Sequence, residues 1–256
     1  RTADPLRPAA LIFSAIGKKA SLILLPYLTP FTVNPVPSRP SPKYHFSIPH
    51  PEFPINDALF PIPTVTQHHV IRLKTGETLC IAEVPHMESV SLGVWAGVGG
   101  RHDPAELGGL AHFVEHMIFK GTKRRSARRL NTDIESVGGS MDAYTSEDHT
   151  AFFVRGPAEH FTRFADVLFD IYRHSVFHGD DVKSEREVIT EEISMYKEQP
   201  QQQVEDLLWR TAWPDHPLGR SIAGTVDSLK RINAGALRTH ASRWFGQRNS
   251  IIAVAG

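Results

Sequence analysis

Gly109-Leu110-Ala111-His112-Phe113-Val114-Glu115-His116-Met117-Ile118-Phe119 is the stretch on which the reading of this chain turns. At about 100° per residue His112, Glu115, His116 and Phe119 fall in one helical stripe, and the other directions are apolar: Leu110, Ala111, Phe113, Val114, Met117 and Ile118. A helix apolar around most of its girth is a buried helix. Two imidazoles and a carboxylate buried side by side cost several kcal/mol unless something pairs with them. A divalent cation meets that need, because two His nitrogens one turn apart can both reach zinc at ~2.0–2.1 Å. Buried His–Glu hydrogen-bonded clusters without metal show the same pattern, so this helix by itself leaves both readings open.

A catalytic zinc needs a third protein ligand, and the helix expected from about Asp181 to Glu198 offers one. With Glu185 at zero, Glu192 lies about 20° away, beside Val188, Ile189 and Tyr196. Glu187, Glu191 and Glu198 cluster about 200–240° round, near Lys183, as an ordinary solvated face. Two inward carboxylates, Glu185 and Glu192, need a charge partner of their own. His112, His116 and Glu192 as ligands to one Zn2+ per chain leave a fourth position for water, the pattern of a catalytic rather than a structural site. Zinc lowers the pKa of its water to about 7, and Glu115, on the same stripe as the two histidines, is the candidate base that takes the proton and returns it to the leaving amine. The chemistry is metal-assisted amide hydrolysis.

Working outward, Val70–Leu73 and Leu79–Val84 read as strands joined by Lys74-Thr75-Gly76-Glu77, a hairpin signal. Ser89–Trp95 alternates with Val90, Leu92 and Val94 on one face, until Gly97, Gly99 and Gly100 interrupt it. Helices are expected over about Glu106–Lys120 and Ser126–Val137, each ended by glycine. Ser140–Ser146 and Thr150–Arg155 pair as strands. Pro157 opens a helix as its first residue, with Phe161, Phe164, Leu168 and Ile171 at helical spacing. Further helices run over about Val204–Ala212 and Ala234–Phe245, before a closing apolar, strand-like run at Ile251–Gly256. This order predicts an α+β fold, an antiparallel sheet packed on one face by helices. An apolar strand is an unusual natural end for a protein, so the expectation is a fragment cut at its C-terminus.

Residues 1–65 differ from the rest: they hold thirteen of the 19 prolines and only Asp4 as an acid before Glu52. Such density predicts an extended, disordered arm ahead of a catalytic domain over 66–256. Its apolar patches, Ala9–Ile16 and Leu22–Leu28, are far shorter than the ~20 residues that span a bilayer, so no membrane span is expected. A basic leader of this kind also fits a targeting segment. Lys plus Arg equals Asp plus Glu at 28 each, which gives no sign of a nucleic-acid partner. Cys80, the single cysteine, excludes an internal disulfide and sits in an apolar run as a core residue. The run Lys120, Lys123, Arg124, Arg125, Arg128, Arg129 reads as a solvated helix start rather than a patch for an acidic partner.

With these residues in hand, the sequence resembles the M16 metallopeptidases, most closely the branch of the mitochondrial processing peptidase β-subunit and its bacterial relatives. H-x-x-E-H is the inverzincin signature. The resemblance runs from about His68 to Gly256 and includes Glu185-Arg186-Glu187-Val188-Ile189-Thr190-Glu191-Glu192, which matches the family's E-R-x-V-I-x-x-E helix and places the third ligand at Glu192. It implies that Glu185 supports the metal site from behind. It implies a substrate that is an extended peptide, unfolded protein or presequence-like segment, added to a sheet edge at Asp142, Ala143, Tyr144 and Thr145. Relatives usually carry Asn where this chain has Asp142. The family builds a closed chamber from two homologous halves, so a second M16-like domain or subunit is an expected partner. Relatives occur in mitochondria and in bacterial cytoplasm and periplasm, and the arm does not choose among these. Rival readings are a half-enzyme needing that second domain, a non-catalytic M16-like subunit, and a structural zinc site without turnover. Non-catalytic subunits usually lose motif residues, whereas both His and both Glu are kept here.

Overall fold

A computed structural model describes residues 67–256. The Pro-rich arm over 1–65, with its two apolar patches, lies outside the described residues. Six strands form one sheet: β1 (Gln67–Arg72), β2 (Thr78–Glu83), β3 (Ser89–Ala96), β4 (Ser140–Thr145), β5 (Thr150–Pro157) and β6 (Ser250–Ala255). Their order is β1-β2-β6-β3-β5-β4, which leaves β1 and β4 as the edges. The β1–β2 hairpin closes where expected, at Gly76, whose φ of +112 is open to glycine at little cost. Leu73 N–H donates to the Glu77 carbonyl there at 2.9 Å.

The sheet is mixed rather than wholly antiparallel. β6 enters between β2 and β3, antiparallel to β3 but parallel to β2, in the register Thr78↔Ile251 to Ala82↔Ala255. A parallel neighbour requires a long crossover rather than a tight turn. The chain supplies one, since every helix among the described residues lies between β3 and β6 in sequence. The helices are α1 (Leu110–Ile118), α2 (Ala127–Glu135), α3 (Phe161–His174), α4 (Gly179–Lys197), α5 (Pro200–Ala212), α6 (Val226–Arg231) and α7 (Ala234–Trp244).

One sheet face carries the core. Leu92 and Val94 of β3, Phe152 and Val154 of β5 and Ile252 of β6 are buried together with Phe113 and Met117 of α1 and Phe164, Leu168 and Ile171 of α3. The Phe164 ring rests on Gly139 and Gly156, where an added Cβ would come within 2.7 and 2.5 Å of it. On the opposite face Tyr144 and Ile251 are exposed and Trp95 is half-buried, so helices cover one side as expected. Cys80 is only half-buried, because it alternates away from the buried Leu79 and Ile81. No helix among the described residues is long and apolar enough to cross a membrane.

Several local expectations change. The stretch 106–120 is not one helix: a 3-10 turn at Ala105–Leu107 is followed by Gly109 at φ +91, and α1 starts only at Leu110. Asp103 sets that start, its carboxylate accepting from Gly109 N–H at 3.0 Å and Ala111 N–H at 3.1 Å in place of the missing first-turn carbonyls. Pro157 ends β5 opposite Ser89 rather than opening a helix; a 3-10 turn at Ala158–His160 intervenes before α3. Helix α6 was not anticipated at all. It is six residues long and held by a capping box between Thr225 and Ser228. The basic run is no uniformly solvated face: the Arg125 guanidinium is largely buried and reaches Asp133, Asp166 and Asp170, while Lys120 pairs with Glu185.

His240 on α7, which packs on α1, is buried with its Nε2 unpartnered. Burial, with His102 and Arg243 nearby, lowers its pKa to about 4 from the usual 6.5. A folded pKa below the unfolded one means the unfolded chain takes the proton first as pH falls. The stability held above pH 6.5 therefore drains away between about pH 6.5 and pH 4, by up to ~3 kcal/mol from this group. Urea unfolding of the wild-type and His240→Gln proteins across that range should show a shallower acid loss in the variant; parallel curves would rule the contribution out.

Candidate metal centre

Helix α1 buries Leu110, Ala111, Phe113, Val114, Met117 and Ile118, which leaves its His112–Glu115–His116 stripe as the only polar side. That stripe faces β4 on one flank and α4 on the other. Helix α4 in turn buries Val182, Glu185, Ile189 and Ile193, so Glu185 points inward as its helical angle requires, with Glu192 half-buried beside it. Val188, placed near this stripe by the sequence, is exposed.

Three donor atoms converge. His112 Nε2 and His116 Nε2 lie 3.3 Å apart, and Glu192 Oε2 lies 3.8 Å from the first and 3.5 Å from the second. These are the separations of atoms sharing a central cation, and among the described residues no other cluster of His, Cys, Asp and Glu could hold one. Glu192 Oε2 is buried and accepts no hydrogen bond, so the donor set fits a divalent metal better than it fits its own company. The facing His116 imidazole, with Tyr196 and His112, holds the Glu192 carboxyl down to about 2 against its burial. Burial and the neighbouring His116 lower His112 to about 4, leaving it a neutral imidazole with a free lone pair. His116 moves the other way: burial pulls it down, but Glu192 and Glu185 outweigh that and raise it.

The surrounding groups orient these atoms. His116 Nδ1 lies 3.1 Å from Glu185 Oε1, so an Nδ1–H donated there leaves Nε2 free toward the centre. Glu185 is itself tied to Lys120. Tyr196 O–H donates to Glu192 Oε1 at 2.5 Å, which turns Oε2 toward the histidines. This tyrosine had no assigned role from sequence, although its position one turn after Glu192 was a usable signal. Asp103 and Arg220 were also missed. Arg220 donates to the Asp103 carbonyl at 3.0 Å across 117 positions of sequence, a contact that no local pattern encodes.

Glu115 lies one turn before Phe119, with one oxygen accepting from Thr145 Oγ1 at 2.6 Å. Burial raises its pKa, against the Thr145 bond. Of the four β4 residues predicted at the site, Ala143, Tyr144 and Thr145 line the same groove of ≈ 1040 Å³ as His112, Glu115, His116 and Glu192. Asp142 does not; it lies on the exposed side of the strand, where its Oδ1 accepts from Ala143 N–H at 2.8 Å. Tyr144 is held at the edge by Trp95 Nε1 at 3.3 Å and His149 Nε2 at 3.1 Å.

A helix-borne His pair and a glutamate from a second helix could together hold a metal ion, with a half-buried carboxylate and a sheet edge beside them. The chain belongs to the insulinase family of peptidases, family M16, whose profile matches residues 79–226. It is 37% identical over 183 residues to the Bacillus subtilis protein called uncharacterized zinc protease YmxG, covering 72% of this chain and 45% of that one. It is 33% identical over 211 residues to the probable β-subunit of the mitochondrial-processing peptidase of Arabidopsis thaliana, covering 82% of this chain and 39% of that one. The fold matches the crystal structure of a putative M16-like peptidase from Alicyclobacillus acidocaldarius with a TM-score of 0.68 at 24% identity, over 74% of this chain and 46% of that one. The chain thus spans less than half the length of these relatives.

Proposed function

We propose that this chain carries the catalytic centre of a zinc-dependent endopeptidase acting on extended peptides or unfolded segments. His112, His116 and Glu192 hold one zinc ion per chain, Glu115 is the general base, and Glu185 orients His116. The observation that carries this reading is the convergence of three donor atoms at 3.3–3.8 Å, one of them an unpartnered Glu192 oxygen, beside a half-buried glutamate of raised pKa. Zinc, when bound, supplies Lewis acidity that polarises the scissile carbonyl and eases deprotonation of water. Glu115, fixed by Thr145, accepts the proton of the attacking water. The same carboxyl then donates it to the leaving amine nitrogen as the C–N bond breaks. The open edge of β4 at Ala143–Thr145 takes the peptide backbone as an added strand.

A second reading rests on length. The chain covers 45% and 39% of two relatives, so a further M16-like domain or subunit can be what completes the substrate chamber. Zinc loading of the isolated chain, followed by incubation with an unstructured peptide, tests both. Cleavage that a chelator removes and zinc restores supports the endopeptidase. One zinc per chain without cleavage, and cleavage only after adding a second M16-like half, supports the half-enzyme. Failure to bind zinc sinks both readings.

A further inference from the structure

The open edge of β4 is not free along its whole length. Ser146 N–H donates to the His149 carbonyl at 2.8 Å, which sets the phase of the β4–β5 ladder. Alternation then turns the backbone groups of Tyr144 and Asp142 toward Ala151 and Phe153, and leaves those of Met141, Ala143 and Thr145 facing outward. These outward groups are what an added peptide strand would pair with. Yet the Ala143 N–H is already engaged, by Oδ1 of Asp142 at 2.8 Å. Side chains alternate along the strand, so Asp142 leaves on the open sheet face with Tyr144 and bends back over the edge to make this bond.

Asp142 is exposed. The arginines of this region are turned to other partners: Arg220, at the groove wall, donates to the carbonyls of Asp103 and Arg101, and Arg155 lies over the Phe153 ring at 4.9 Å. A peptide strand arriving at β4 therefore meets a carboxylate seated on the donor it needs.

We propose that Asp142 is a specificity-determining residue, which yields the Ala143 N–H to the incoming strand and then selects peptides bearing a cationic side chain, and rejects acidic ones, at the position that pairs with Asp142 and so shares its sheet face. This rests on the peptide-binding role assigned to β4 above. The displaced carboxylate stays within reach of side chains on the peptide's outer face, where unlike charge is favourable and like charge is not. Asn at the same place would accept the same hydrogen bond with no charge, so Asp142→Asn isolates the electrostatic part.

The probe is a set of uncharged ten-residue peptides into which Lys, Gln or Glu is placed at each position in turn. Binding is measured by fluorescence anisotropy to zinc-loaded chain carrying Glu115→Gln, with and without Asp142→Asn. The expected result is one position at which Lys binds about tenfold tighter than Glu, equivalent to ~1.4 kcal/mol, with the ratio falling to within about twofold in the Asp142→Asn protein. The ratio should also shrink as salt is added. An equal Lys-to-Glu ratio in both proteins, or no position with a preference, overturns the assignment to Asp142 while leaving the peptidase reading in place. If none of the peptides binds, with or without an added second M16-like half, the β4 edge is not the peptide site and both readings fall.

Discussion

Glu115→Gln is expected to lower peptide cleavage by on the order of 10²–10⁴-fold while the zinc content stays near one ion per chain. The substitution keeps the side-chain volume and can keep the acceptor that Thr145 Oγ1 bonds at 2.6 Å, so α1 and β4 hold their spacing. It removes only the capacity to take a proton. Helix α1 is closely packed around this position, with Val114 and Met117 both fully buried, so a larger or smaller side chain would confuse loss of chemistry with loss of fold. The pH profile gives a second readout. Burial raises the Glu115 pKa from its ordinary value, and a base works only when deprotonated. The acid limb of kcat/KM should therefore lie above that of an unperturbed glutamate and be missing from any residual activity of the variant. If Glu115→Gln cleaved peptide at the wild-type rate, the base would have to be sought elsewhere. Metal loss in this variant would mean instead that Glu115 helps hold the ion.

What could be read from the sequence, and what could not, follows from the range of the interactions. The inward aim of Glu185 and Glu192 was legible because helix periodicity is local: seven residues are nearly two turns, and the register survives any tertiary context. The burial of α1 was legible for the same reason. Parallel pairing of β2 with β6 was not, since a strand's apolar alternation reports its buried face and not its neighbour. Pro157 shows a competition that propensity does not settle: its missing N–H suits a helix start, but it is equally tolerated as the last residue of a strand, and the ladder with Ser89 decides. Arg125 looked like one cation in a solvated run because its three carboxylate partners, Asp133, Asp166 and Asp170, sit 8 to 45 positions away. Asp103 escaped notice on similar grounds: a cap six residues ahead of the first N–H it holds is outside the usual capping window.

The sharpest separation lies between two adjacent glutamates. Glu192→Gln should lose bound zinc, by well over the 10–100-fold typical of losing a supporting contact, while Glu191→Gln should keep it. Both changes remove one negative charge from the same turn of α4, so a general electrostatic effect on the cation would appear in both. Only Glu192 has an oxygen within 3.5 and 3.8 Å of the two histidine Nε2 atoms; Glu191 is an exposed residue on the other side of the helix. An amide at position 192 could still accept from Tyr196, so the fold of the site should persist. It would bring a neutral, weaker donor to a position that needs a carboxylate. Zinc measured per chain by elemental analysis after dialysis against a mild chelator distinguishes the two variants, and circular dichroism confirms that each remains folded. Retention of zinc in Glu192→Gln with loss in Glu191→Gln would mean that α4 is rotated by about 100° relative to α1, and the three-donor geometry would have to be abandoned. Equal loss in both would point to long-range charge as what retains the ion, and equal retention would leave the two histidines needing a different third partner.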